Sequence, residues 1–250
     1  MENMNLYHWL HSHLASGIRR YSQLEIKGIE HLPPIGQGSV LACNHSGNFW
    51  WDAICLMAGI SDRQVHFIAH HWDASIAPIK WFLEQLDNYF LDLSLEDIQK
   101  NNPVVEALAS GNLMCQYPEE SYHMFKDRYT LFRFSPQILK YAHLAQVPIC
   151  PVAVIGIEEA VPTFFGLKFT GVPLPIPLHM VLILPLKVTI EIGTSYTVEE
   201  LCGISRSGKI NTTAYQTGAD TLREKLAELI RKDRPCRISD IRYAQESRLF

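Results

Sequence analysis

The stretch SVLACNHSGNFWWDAICLMAG, residues 39–59, decides the architecture. Ser39 to Cys43 is an apolar run of strand length that ends at a loop, as in a strand buried on both faces. Asn44 to Trp51 mixes polar, glycine and aromatic residues and reads as that loop. Asp52 to Gly59 is apolar behind an acidic first residue, which suits the start of a helix. A buried strand, a loop at its carboxyl end and a helix form the first half of a βαβ unit.

On either side of this unit the same alternation continues. Residues 4–21 place Leu6, Trp9, Leu10, Leu14, Ile18 and Tyr21 at helical spacing, with Arg19 and Arg20 near the end of the helix. This predicts an amphipathic helix that packs on the domain, lies in a membrane interface, or does both. Strands are predicted at 23–28, 64–69, 113–117, 148–156 and 187–192. Helices are predicted at 76–86, 95–109, 134–145 and 211–232. Strands alternating with helices imply an α/β sandwich with a mostly parallel central sheet flanked by helices, in a single domain. No internal repeat or linker interrupts it.

Composition narrows the function classes. Apolar residues make up 47% and charged residues 19% of 250, enough apolar material for a core and unlike a disordered chain. The net charge of −4 argues against a general nucleic-acid binder. The charge is uneven: residues 204–250 hold ten Lys/Arg against six Asp/Glu; Arg231 and Lys232 stand at the end of the last predicted helix, and Arg234, Arg237, Arg242 and Arg248 follow in a basic tail over 233–250. That tail reads as a solvated end or as an attraction for anionic lipid or a carrier protein.

Six cysteines lie without a C-x-x-C pair, and four stand in apolar runs, which predicts buried, reduced thiols. The first residues do not form a secretory signal, and the apolar run from Gly171 to Leu186 is too short and too rich in proline to span a bilayer. Its apolar residues, with Phe164 and Phe165, are expected in the core, in an acyl tunnel or against a membrane. His66, His70 and His71 lack the spacing of a metal site, and no metal is expected. No G-x-S-x-G, G-x-x-x-x-G-K or G-x-G-x-x-G occurs.

His45 and Asp52 are the candidate reactive groups. They flank a loop at a strand's carboxyl end, where open α/β sheets bind ligands. A histidine there can take a proton from an alcohol if a carboxylate orients its other nitrogen. By residue type alone, Asp52 also fits a helix-capping role and His45 an ordinary loop position.

The segment Asn44-His45-Ser46-Gly47-Asn48-Phe49-Trp50-Trp51-Asp52 resembles the NHxxxxD block of the glycerolipid (1-acylglycerol-3-phosphate) acyltransferase superfamily. Six residues rather than four separate His and Asp, as in a branch with NHSGGxPxD-like sequences. Tyr117-Pro118-Glu119-Glu120 resembles the FPEGxR block. Lys126 to Arg133 resembles the basic stretch after it. Val147 to Val152 resembles the PIVPV strand, and Gly156 to Pro162 resembles GxEEAxP. The resemblance runs in order over about residues 20–195.

The resemblance implies an O-acyltransferase in residues 23–232. It would move a fatty acyl group from acyl-CoA or acyl carrier protein to a glycerolipid or related lipid alcohol, without a cofactor and without an acyl-enzyme. His45 is then the general base and Asp52 its partner. Glu119, Lys126, Arg128 and Arg133 become the candidate substrate-binding residues. The implied setting is cytoplasmic and peripheral to a membrane. Glu120 stands where the family has glycine and Ser121-Tyr122-His123 where it has arginine, and an added carboxylate repels a phosphate. That departure turns the expectation toward an unusual acceptor, and it motivates a rival reading, a lipid-binding protein on the same fold with little catalysis.

Overall fold

The computed structural model describes residues 6–45, 50–69, 77–92, 94–119, 124–167, 176–179, 183–204 and 210–240. In chain order these form α1 (Leu6–Tyr21), β1 (Glu25–Lys27), β2 (Ser39–Cys43), α2 (Trp51–Gly59), β3 (Val65–Ala69), α3 (Ala77–Gln85), β4 (Tyr89–Phe90), α4 (Pro103–Ala109) and β5 (Leu113–Gln116). They continue with β6 (Thr130–Leu131), α5 (Gln137–Ala145), β7 (Ile149–Ile155), α6 (Ile157–Ala160), β8 (Thr163–Leu167), β9 (Ile176–His179), β10 (Thr189–Ile192), α7 (Val198–Cys202), α8 (Thr212–Arg231) and β11 (Arg237–Ile238).

The central sheet has seven strands in the order β1-β10-β7-β2-β5-β3-β4. From β7 to β4 the strands are parallel; β10 runs antiparallel to β7 and takes β1 beside it in parallel. The sheet is therefore mostly parallel, as its apolar strands require. Successive residues of β2 point to opposite faces. Val40 and Ala42 join Met114, Ile138, Tyr141, Ala153, Leu222 and Leu226 on the side of α5 and α8. Leu41 and Cys43 join Cys55, Leu56, Cys115, Val152 and Val154 on the side of α2. Helices cover both faces, so β2 is buried throughout.

α1 packs on α2 through Tyr7, Leu6 and Leu10 against Met57, with Leu86 closing the cluster. The Arg19 Nε donates to the Ala58 carbonyl. Trp9, Leu14 and Tyr21 remain exposed on the outer side. All six cysteines are free thiols; Cys236 alone is half-buried and the rest are buried.

One expectation is corrected. The helix expected over 95–109 begins at Pro103. A proline disfavours the helical region for the residue before it, and Asn102 is extended (φ −71°, ψ 134°). The Asn102 side chain accepts from the Val104 amide at 2.9 Å and caps the helix that follows. Residues 94–97 form a separate turn, where Ser94 N and Oγ donate to Asp97. In the basic tail, β11 pairs in parallel with β6, and Arg223 of α8 donates to Ser239 O and Asp240. Residues 233–240 thus pack on the domain; 241–250 lie outside the described residues.

Candidate active site

β2 and β5 are parallel neighbours, with Ala42 opposite Gln116. The residues leaving their carboxyl ends therefore emerge side by side: His45 from one strand and Tyr117 from the other. α2 returns the chain to the same end and presents Asp52 in its first turn. Trp50, just before it, takes the left-handed conformation (φ 51°, ψ 25°). Proline cannot adopt that φ, so the backbone here departs from the proline-bearing NHSGGxPxD pattern. Residues 46–49 lie outside the described residues.

His45 Nδ1 lies 2.9 Å from Asp52 Oδ2, and Asp52 Oδ1 accepts from the Ala53 amide at 2.8 Å. The Asp52 side chain is 0% exposed and that of His45 19%. An ionised carboxylate only accepts hydrogen bonds, so Nδ1 carries the proton and Nε2 of the neutral ring is left as an acceptor. The first turn of α2 favours negative charge at Asp52. Chemically, the pair is a base with an oriented tautomer, able to take a proton at Nε2 and hold the resulting imidazolium beside a buried anion.

Two neighbours of this pair were not singled out from the sequence. Asn44 donates through Nδ2 to Val154 O and accepts at Oδ1 from Val154 N, both at 2.8 Å. Its amide thus imitates a peptide group and continues the pairing of β2 with β7 just before His45. An asparagine at the end of a buried strand is the available sequence signal for such a role. Replacing Asn44 by alanine removes both bonds from a buried strand. We expect a loss of about 2 kcal/mol in urea unfolding, and a fall of about 10²-fold in turnover as His45 loses its anchor. Asn44→Asp, which keeps the acceptor but lacks the donor, should fall between. An unchanged unfolding midpoint in Asn44→Ala would remove the anchoring role.

Tyr117 is the second neighbour. Its ring centroid lies 4.4 Å from that of His45, the planes inclined at 34°. Its hydroxyl is buried and has no hydrogen-bond partner among the described residues. Burial pushes this phenol well above its ordinary range, and the charge of Asp52 adds to the shift.

The other candidates stand differently. Glu119 is buried, and its Oε2 accepts from the Phe132 amide at 2.8 Å. Lys126, Arg128 and Arg133 are exposed. The Arg128 guanidinium sits 4.5 Å over the Phe125 ring and donates to the Phe125 carbonyl. The structure therefore brings together His45 and Asp52, holds Glu119 inside by a backbone contact, and leaves the three cations on the surface. Glu120 to His123 lie outside the described residues, as does most of the proline-punctuated stretch 168–182. Of that stretch, β9 pairs antiparallel with β8.

On the other side of Tyr129, which takes a positive φ of 57°, the hydroxyl donates to Glu159 and accepts from the Gly156 amide. Burial, then the charge of Glu158, pushes this phenol above its ordinary range. These contacts fix the turn that ends β7, the strand to which Asn44 is tied.

No curated protein matches the chain. Among solved structures, the 1-acyl-sn-glycerophosphate acyltransferase PlsC from Thermotoga maritima has a similar fold, with a TM-score of 0.56 at 18% identity over 94% of this chain and 86% of that one. The family model described as Acyltransferase matches residues 23–155, more than half of the chain, and spans β1 through β7 with both His45 and Asp52. The chain belongs to the Acyltransferase family, the enzyme class that its sequence leads one to expect.

Proposed function

We propose that this protein moves a fatty acyl group from a thioester, acyl-CoA or acyl carrier protein, to a hydroxyl of a glycerolipid or related lipid alcohol at a membrane surface. The observation that carries the reading is the 2.9 Å contact between His45 Nδ1 and the buried Asp52 at the carboxyl end of β2. His45 Nε2 takes the acceptor's hydroxyl proton. The oxygen attacks the thioester carbonyl carbon and forms a tetrahedral oxyanion. Its collapse breaks the C–S bond, and the leaving sulfur takes the proton back from the imidazolium. Asp52 fixes the ring and stabilises its charged form during the transfer. Glu119 supports the acceptor side, and Lys126, Arg128 and Arg133 offer positive charge to an anionic headgroup or donor.

A membrane setting is supported by the outer side of α1. Trp9, Leu14 and Tyr21 are exposed there, and a groove of about 350 Å³ runs between α1 and α2, lined by Leu14, Gly17, Ile18, Trp51 and Ile54 among others. Exposed aromatic and aliphatic groups on one helix suit a lipid interface. Among the described residues, no helix is long and apolar enough to cross a membrane.

The test is thiol release from long-chain acyl-CoA and from acyl carrier protein by the purified protein. The acceptor panel covers lysophospholipids, glycerol phosphate and neutral lipid alcohols. Acceptor-dependent release is the expected result, and the productive acceptor names the substrate class. Tight lipid binding without release from any donor would leave the lipid-binding reading in its place.

A further inference from the structure

We propose that residues 233–240 are a positioning strap for the acceptor side of the site: the strap fixes the segment 129–132, and an amide of that segment fixes Glu119. The proposal rests on the acyl-transfer reading for the part of Glu119 in acceptor binding. The path from the strap to Glu119 is geometry and does not depend on that reading.

The path begins at β6. This strand lies outside the seven-stranded sheet, and among the described residues β11 is its one strand partner. Arg237 N donates to Tyr129 O and Ser239 N to Leu131 O, both at 2.9 Å. The same short segment directs two of its own amides at buried carboxylates. Tyr129 N donates to Glu158 Oε1 at 3.3 Å, and Phe132 N donates to Glu119 Oε2 at 2.8 Å. Tyr129 has a φ of 57°, which costs energy in a residue other than glycine and persists only where the surroundings enforce it. The tail supplies part of that enforcement at the Tyr129 carbonyl.

A parallel pair two residues long is marginal by itself, and other contacts secure this one. Ile238 stands opposite Leu131, and both pack into the core on the side of α8. Arg223, 6% exposed, reaches out from α8. Its Nη1 donates to Ser239 O at 2.9 Å and its Nη2 to Asp240 Oδ1 at 2.8 Å. Burying a guanidinium is costly unless it is paired, and its planar fork suits two acceptors at once. Arg234 Nε lies 3.8 Å from Glu159 Oε1, and Glu159 Oε2 accepts from the Tyr129 hydroxyl at 2.6 Å. The strap therefore joins three places far apart in sequence: α8, the segment that holds Glu119, and the Glu158-Glu159 pair at the end of β7.

The amide of residue 237 is the most selective point of attack. The Arg237 side chain is exposed, whereas its N–H enters the pairing with β6. Arg237→Pro removes that donor and leaves the rest of the chain in place. The segment 129–132 then loosens, and Phe132 N no longer keeps Glu119 in one orientation. Acceptor binding should weaken, with acceptor KM rising about fivefold, as expected for one lost hydrogen bond. Donor KM and kcat at saturating acceptor should stay as they are, because His45 and Asp52 are held by other elements.

The experiment compares Arg237→Pro with the unaltered protein and with Asn102→Ala, which destabilises the fold by removing the cap of α4. The readouts are KM for the productive acceptor, kcat, and hydrogen exchange at the Phe132 amide. Arg237→Pro should raise acceptor KM and speed exchange at Phe132; Asn102→Ala should do neither beyond its effect on global stability. Exchange at Phe132 no faster than in Asn102→Ala, or an unmoved acceptor KM, would overturn the proposal and leave the tail a closing strand. If no acceptor supports release, the acyl-transfer reading fails by itself, and exchange at Phe132 alone decides the strap. If Arg237→Pro does not fold, Arg223→Lys replaces it, keeping the charge but losing the fork that reaches Ser239 and Asp240. The same two shifts are expected there in smaller measure, and the absence of either overturns the proposal.

Discussion

Replacing His45 by alanine is expected to lower acceptor-dependent acyl transfer by about 10²–10⁴-fold, the usual contribution of a positioned general base. Asp52 holds the His45 ring through Nδ1 at 2.9 Å. The loss should fall on kcat, because the acceptor's hydroxyl proton moves only in the transition state. Alanine also removes a donor from a carboxylate with no solvent exposure, so the thermal midpoint should drop by a few degrees. His45→Gln separates the two effects, since its side-chain amide can restore a donor to Asp52 without restoring a base. Asp52→Asn should fall in the same range as His45→Ala, because an amide can present its N–H₂ to Nδ1 and select the wrong tautomer. Steady-state kinetics of thiol release and a melting curve on each variant check this. A His45→Ala protein with unaltered kcat would remove the pair from the chemistry.

Replacing Gly156 by alanine is expected to cost about 3 kcal/mol or more and to lower the thermal midpoint by roughly 6–12 °C. Gly156 ends β7 with φ at +100°, a conformation that L side chains rarely adopt. A Cβ there would lie 2.3 Å from the Lys187 carbonyl oxygen. That oxygen belongs to backbone leading into β10, which pairs with β7 two strands from the sheet centre, so the neighbour cannot swing aside like a side chain. The same turn receives the Tyr129 hydroxyl at the Gly156 amide. Disturbance should therefore spread to Val154, two residues earlier, where Asn44 is tied. Calorimetry gives the stability effect. Activity measured well below the melting range should fall as well. A Gly156→Ala protein that melts with the unaltered one would show that the β7–β10 corner relaxes freely.

The fold was legible where local pattern and tertiary environment agree. Ser39 to Cys43 is apolar throughout because both of its faces are covered, and its bounds follow from the sequence. The His45–Asp52 pair was legible through its resemblance to the NHxxxxD block; spacing alone placed the two residues at the ends of one loop, and their contact came from the structure. Tyr117 and Asn44 were not, because their partners are distant in sequence. The neighbours of Tyr117 depend on β2 lying beside β5, and the partner of Asn44 is 110 residues away. Strand order of that kind is written in no local period. The helix expected over 95–109 failed for the opposite reason: apolar spacing continued across Pro103, and a single proline outweighed it. The antiparallel direction of β10 was equally invisible, since an apolar strand reads the same either way.

That outer pair of strands also dictates an order of events during synthesis. Glu25 of β1 finds its strand partner at Thr189 of β10, 164 residues later, and not at β2. At a ribosomal rate of about 5–20 residues per second, the first strand waits roughly 8–33 s for its neighbour to be made. Throughout that interval α1, with Trp9, Leu14 and Tyr21, is attached to a strand that has no sheet to join. This edge of the sheet is thus completed only after β10 is made, long after β2 and α2.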